Sequence, residues 1–130
     1  MEFVNPPGWV RPKGYSNGIV ALGRMVFVAG MVGWNEQEVF EASDFLGQAR
    51  QIFSNIAAVL HAAGARPEHI VRMTWFITDK DEYLSAGKAL GAAYREVMGR
   101  HFPVMAVVVV SGLIEDGAKL EIEATAVIPE

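Results

Sequence analysis

The stretch His101–Val110, HFPVMAVVVV, decides how the chain must fold. Pro103 leads into it, and from Val104 onward it reads as a strand, because β-branched valines suit a pleated surface. Side chains alternate faces along a strand, and here both alternations are apolar. Both faces of this strand therefore require cover. Whatever packs on one side, something further must pack on the other.

The elements around it are legible from spacing. Upstream, Asp44 is a plausible N-cap for a helix carrying Phe45, Ala49, Ile52, Ile56, Val59 and Ala63 at helical intervals, with Phe53 and Leu60 widening the apolar stripe. Gly64 suits a left-handed stop, with Pro67 beyond it. In HIVRMTWFIT, residues 69–78, Val71, Met73, Trp75 and Ile77 fall on one face and Ile70, Arg72, Thr74 and Phe76 on the other. Asp79, with Glu82 three residues later, resembles a capping box opening a second helix. That helix runs to about Met98, turns Tyr83, Leu90, Tyr94 and Val97 inward and ends at Gly99. Two short strands flank Leu22-Gly23-Arg24, and a last strand spans 119–128 after a turn at IEDG, residues 114–117. Residues 1–15 hold Pro6, Pro7, Gly8, Pro12 and Gly14, which spells an irregular arm. The expectation is an α+β domain over residues 1–130, with about six strands in one mixed sheet and two helices on one face. Two helices can cover only one face of Val104–Val110, so the expected cover for the other is a second copy of the chain.

Composition narrows the function. With 130 residues the chain is one domain by size, and 52% hydrophobic against 20% charged residues supports a real core. A net charge of −4, from 15 acids and 11 bases, disfavours nucleic-acid binding. There is no cysteine, which removes disulfides, thiolate metal sites and a cysteine nucleophile. His61, His69 and His101 have no metal-ligand spacing, so no metal is expected. No signal peptide is legible at residues 1–10, and no apolar run reaches the ~20 residues of a membrane span. A cytoplasmic protein is expected.

Six segments, in order, carry a resemblance. They are GYSNGIV (14–20), MVFVAGMVG (25–33), QARQIFSNIAAVLHAAGA (48–65), HIVRMTWFITDKDEY (69–83), FPVMAVVVV (102–110) and AKLEIEATAVIP (118–129). Together they resemble the Rid family, also known as YjgF/YER057c/UK114 or endoribonuclease L-PSP. The resemblance implies a chorismate-mutase-like (RidA-like) fold and a homotrimer with a small-molecule cleft between subunits. It also implies hydrolysis of reactive imines or enamines to keto acids and ammonia, without metal or cofactor.

It further implies a set of site residues. Active members carry an arginine after a Pro-Ala pair, a planar fork that grips the substrate carboxylate. Here Pro103-Val104 is followed by Met105, whose thioether suits an apolar ligand instead. An asparagine frequent in the family's second helix is replaced by Gly87 or Gly91, in a region carrying a few extra residues. Glu121 matches the acid that positions the hydrolytic water, although Glu123 shares its face and either could be an ordinary solvated strand residue. Tyr15 matches an aromatic bordering the cleft, and Trp34 is a further candidate for its lining. Three functions are open on these residues: a deaminase with altered substrate choice; an inactive ligand-binding or regulatory trimer; and an interaction module of chaperone-like or translation-inhibitor, endoribonuclease-like type. Retention of Glu121 favours the first, and loss of the arginine the second.

Overall fold

The computed structural model describes all of residues 1–130. Six strands and two long helices follow one another as β1 (Glu2–Val4), β2 (Gly18–Val20), β3 (Gly23–Val32), α1 (Phe45–Ala62), β4 (Ile70–Ile77), α2 (Lys80–Met98), β5 (Val104–Val109) and β6 (Leu120–Pro129), with a short 3₁₀ turn at Pro67–His69. The strands do not form one sheet, contrary to expectation. Four make a mixed sheet in the order β3-β6-β4-β5, and β1 and β2 make a separate antiparallel pair. The arm is thus more regular than its prolines suggested: Glu2, Phe3 and Val4 face Val20, Ile19 and Gly18. The breakers at Pro6, Pro7 and Pro12 confine the irregular backbone to the link between the two strands, since proline offers no N–H to a ladder.

Helix α1 forms as its caps dictate. Asp44, in extended geometry, accepts from the Gly47 amide, and the buried face is Phe45, Gln48, Ala49, Ile52, Phe53, Ile56 and Leu60. At the far end Gly64 takes φ 80°. The amides of Ala65 and Gly64 then bond back to the carbonyls of Leu60 and His61, at 2.8 and 3.0 Å, a Schellman ending. Helix α2 starts on Asp79, whose carboxylate accepts from the amides of Asp81 and Glu82. The expected reciprocal contact is absent: Glu82 turns to Lys119 Nζ at 2.8 Å instead. Helix α2 also breaks at Gly87, with φ 37° and ψ −116°. No helix is long and apolar enough to cross a membrane.

Both helices lie on one face of the sheet. Strand β4 turns Met73, Trp75 and Ile77 into the core, and β6 adds Leu120, Ile122, Ala124 and Ala126. Gln48 is the one buried polar side chain in the helix layer. Its amide donates to the carbonyls of Ala42 and Gly117, and its oxygen accepts from the Lys119 amide. Those bonds pin the 112–119 connection to α1, and they leave no uncompensated polar atom on Gln48.

The opposite face of the sheet is open. Met25 and Phe27 are 58% and 72% exposed there, and Val108 is 41% exposed. The doubly apolar strand therefore lacks cover on that face, as its pattern foretold. Val109, on the helix side, is also 57% exposed, so the intrachain cover is thinner than expected on both faces. The reason is position: β5 is the sheet's edge, joined in parallel to β4 alone.

Candidate functional site

Chain pairing brings the N-terminal arm to the start of β5. The Ser16 amide donates to the Pro103 carbonyl at 3.1 Å, the Ser16 hydroxyl donates to the Phe102 carbonyl, and Ser16 bridges in parallel to Val104. This places Tyr15 beside Met105. The two line an open cavity of about 330 Å³ together with Ser16, Asn17, Arg72 and Thr74.

Met105 also lines a second cavity, of about 290 Å³, on the helix side of the sheet. Its register explains this: Met105 stands opposite Met73, and Met73 is fully buried beneath the helices. The second cavity is walled by Trp75, Leu90 and Phe102, and by the stripe Tyr83, Gly87, Gly91, Arg95 along α2. Both glycines matter to its shape. A Cβ at Gly87 would meet nothing within 4 Å, and one at Gly91 would meet only the Arg95 guanidinium, at 3.2 Å. The positions that the resemblance assigns to an asparagine are thus open space.

Glu121 lies elsewhere. It pairs with Val32 on one side and Phe76 on the other, and Phe76 stands opposite Val108. Alternation along β4 sets Phe76 and Met73 on opposite faces, so Glu121 is on the open face and Met105 on the helix face. The Glu121 carboxylate makes no ion pair within the chain. Glu123 shares its face, opposite Thr74. Trp34 lies past the end of β3, at the other edge of the sheet from β5. Its carbonyl accepts from Asn55 Nδ2 at 2.7 Å, and its ring packs on Phe40 at 5.7 Å between centroids. A single chain therefore joins Tyr15 to Met105 in a cavity that neither Glu121 nor Trp34 lines.

Two arginines escaped the sequence reading. Arg72 lines the first cavity and Arg95 the second, and neither has an ion-pair partner. The spacing of residues 83, 87, 91 and 95 was the available signal for Arg95, since fourth neighbours on a helix share a face. The histidines have local structural duties: His69 Nδ1 accepts from the Arg66 amide, and His101 Nε2 lies 2.6 Å from the Ile70 carbonyl. No three His, Asp or Glu side chains are grouped to hold a metal ion. Burial pushes the Tyr94 phenol well above its usual range, and its hydroxyl donates to the His101 carbonyl at 2.7 Å.

The family profile described as endoribonuclease L-PSP matches residues 10–128 of this chain. The chain belongs to the Rid family. TdcF of Escherichia coli (strain K12) is 35% identical over 130 residues, covering 98% of this chain and 95% of its own. The 2-iminobutanoate/2-iminopropanoate deaminase of the same organism is 33% identical over 123 residues, covering 95% of this chain and 92% of its own. Among solved structures, the Rid-family protein YyfB of Yersinia pestis superposes with a TM-score of 0.83 at 28% identity, over 98% of each chain. The Rid-family architecture, two helices against a mixed sheet, is thus common to this chain and its relatives.

Proposed function

We propose that this Rid-family protein is an imine or enamine deaminase with altered substrate choice. It needs no cofactor and works in a cleft between the subunits of a homotrimer. The observation that carries this reading is the split of the site: Tyr15 and Met105 line one cavity at the β5 edge, while Glu121, on the open face, lies outside it. A second copy that lays its open face against that edge would unite them, and would cover Phe27 and Val108.

In such a cleft Glu121 would take a proton from water as the water oxygen adds to the imine carbon. A carboxylate within hydrogen-bond reach is suited to that task. The C=N bond becomes a C–N single bond, protonation of nitrogen follows, and ammonia leaves as the C=O bond forms. The kinship to a 2-iminobutanoate/2-iminopropanoate deaminase supports the reaction class. Met105, which has no charge to offer a carboxylate, supports the change of substrate. It equally favours a second reading, a trimer that binds such ligands without turnover.

One experiment separates them. Ammonia release is followed on a panel of freshly generated imines, from 2-iminopropanoate to bulkier analogues, for the wild type and Glu121→Gln. Release above buffer that falls with Glu121→Gln supports the deaminase. Ligand binding with no release on any imine supports the binding trimer. A stable monomer by light scattering at micromolar concentration would remove the cleft altogether.

A further inference from the structure

The helix-side cavity sets a cation with no partner in the chain beside an apolar wall. Arg95 is exposed and has neither an ion-pair partner nor a side-chain hydrogen bond, and its guanidinium lies over Gly91 at the cavity wall. Trp75, 3% exposed and part of the same wall, holds the one buried side-chain donor in the protein with no acceptor. A buried N–H without a partner is costly, and few survive in a folded chain without a reason. Beside Trp75 the wall carries the apolar side chains of Leu90, Phe102 and Met105. The volume of about 290 Å³ is roughly twice the 150 Å³ or so that a protein needs to enclose benzene.

We propose that this cavity is the specificity pocket, and that it takes a 2-imino or 2-oxo acid with an aromatic side chain. The ring enters between Leu90, Phe102 and Met105. The ligand's α-carboxylate pairs with Arg95. Arg95 can form two parallel N–H···O bonds to a carboxylate, and its planar fork is matched to that group. The glycines create the room. Gly87 adopts a left-handed φ that breaks α2, and Gly91 lets the guanidinium lie across the helix surface. Arg72, in the neighbouring cavity, is the weaker choice because that cavity lacks the wall of Trp75, Leu90 and Phe102.

This inference takes its ligand class from the deaminase reading, but its test needs no turnover. Phenylpyruvate, pyruvate and phenylacetone are titrated by calorimetry into the wild type, Arg95→Gln, Arg95→Lys and Gly91→Leu, each checked for a native melting curve. The expected wild type binds phenylpyruvate at least ~10-fold tighter than pyruvate, from the apolar area of the ring. Arg95→Gln should weaken phenylpyruvate ~10-fold or more and leave phenylacetone unchanged, with Arg95→Lys between. Gly91→Leu should erase the preference for the aromatic acid. Equal affinity in Arg95→Gln and wild type, pyruvate binding as tightly as phenylpyruvate, or no binding of either acid would each overturn the proposal. Aromatic binding without ammonia release would sink the deaminase and spare the pocket. Ammonia release indifferent to Arg95 would do the reverse.

Discussion

The Glu121 side chain rests directly on Gly30: a Cβ built at Gly30 would stand 2.9 Å from the Glu121 Cδ. Gly30 lies in the irregularity of β3 between Val28 and Met31, where the register with β6 shifts. The bulge and the missing side chain together seat the carboxylate. Gly30→Ala should therefore keep the fold and displace Glu121. If Glu121 positions water, ammonia release should fall about 10- to 100-fold, because catalytic geometry tolerates little misplacement. Unchanged release in a folded Gly30→Ala protein would show that Glu121 does not act on water.

The open face offers a test of assembly. Phe27 projects from it beside Thr125, and it is among the most exposed large side chains. Phe27→Asp should leave the helix-covered core intact by circular dichroism and shift sedimentation toward the monomer. A variant that sediments as the wild type does would place the subunit contact on another surface.

Met105→Arg restores a guanidinium at the β5 edge. Affinity for small carboxylates such as pyruvate should rise roughly 10-fold, from one charge-assisted bidentate contact. Turnover of 2-iminopropanoate need not follow, since Gly87 and Gly91 still leave α2 without a side-chain donor. The new cation also shares a cavity with Arg95, so sedimentation and melting are measured first. An intact variant with no gain for pyruvate would show that Met105 does not face the ligand.

How much of this was legible without coordinates depends on where periodicity ran long enough. Helix α1 and most of strand β4 were legible because each carries a long stripe and recognisable ends, but the register shifts between Ile70 and Arg72, so Ile70 and not Val71 joins the core. Strand β1 was not, since three residues cannot display a period and prolines surround them. The opposition of Glu121 and Met105 was hidden for another reason. Alternation fixes faces within a strand, but only the ladder between strands relates one strand's faces to the next. Arg95 was overlooked because a helical arginine is ordinarily solvated, and only the break at Gly87 and the gap at Gly91 turn its surroundings into a cavity.

Stability should fall in alkali. Burial holds the Tyr94 phenol protonated above its ordinary value of 10.0, and the hydrogen bond to Glu82 raises Lys119 above 10.5 despite opposing desolvation. The folded chain then binds more protons than the unfolded one above about pH 10, so unfolding free energy decreases as pH rises from there. Urea midpoints measured from pH 8 to 11 should drop over the upper part of that range, and Tyr94→Phe should flatten the decline. A Tyr94→Phe protein with the wild-type slope would assign the loss to other groups.

Gln48→Leu removes the partner of three backbone groups at once: the Ala42 and Gly117 carbonyls and the Lys119 amide. Leaving such groups unsatisfied costs about 2–4 kcal/mol in total, read as a lower urea midpoint at unchanged slope. A loss below ~1 kcal/mol would mean that water replaces the amide.

Strand β5 leaves one more mark on the protein's behaviour. Its outer ladder is unpaired beyond the bridge at Ser16, and from Val104 to Val110 it carries no charge and no proline. Natural edges are commonly blunted by lysine, proline or a bulge, because a bare apolar edge templates the addition of foreign strands. This edge has no such guard. Wherever Val104–Val110 is left unsealed, the chain should be open to fibrillar aggregation before it unfolds.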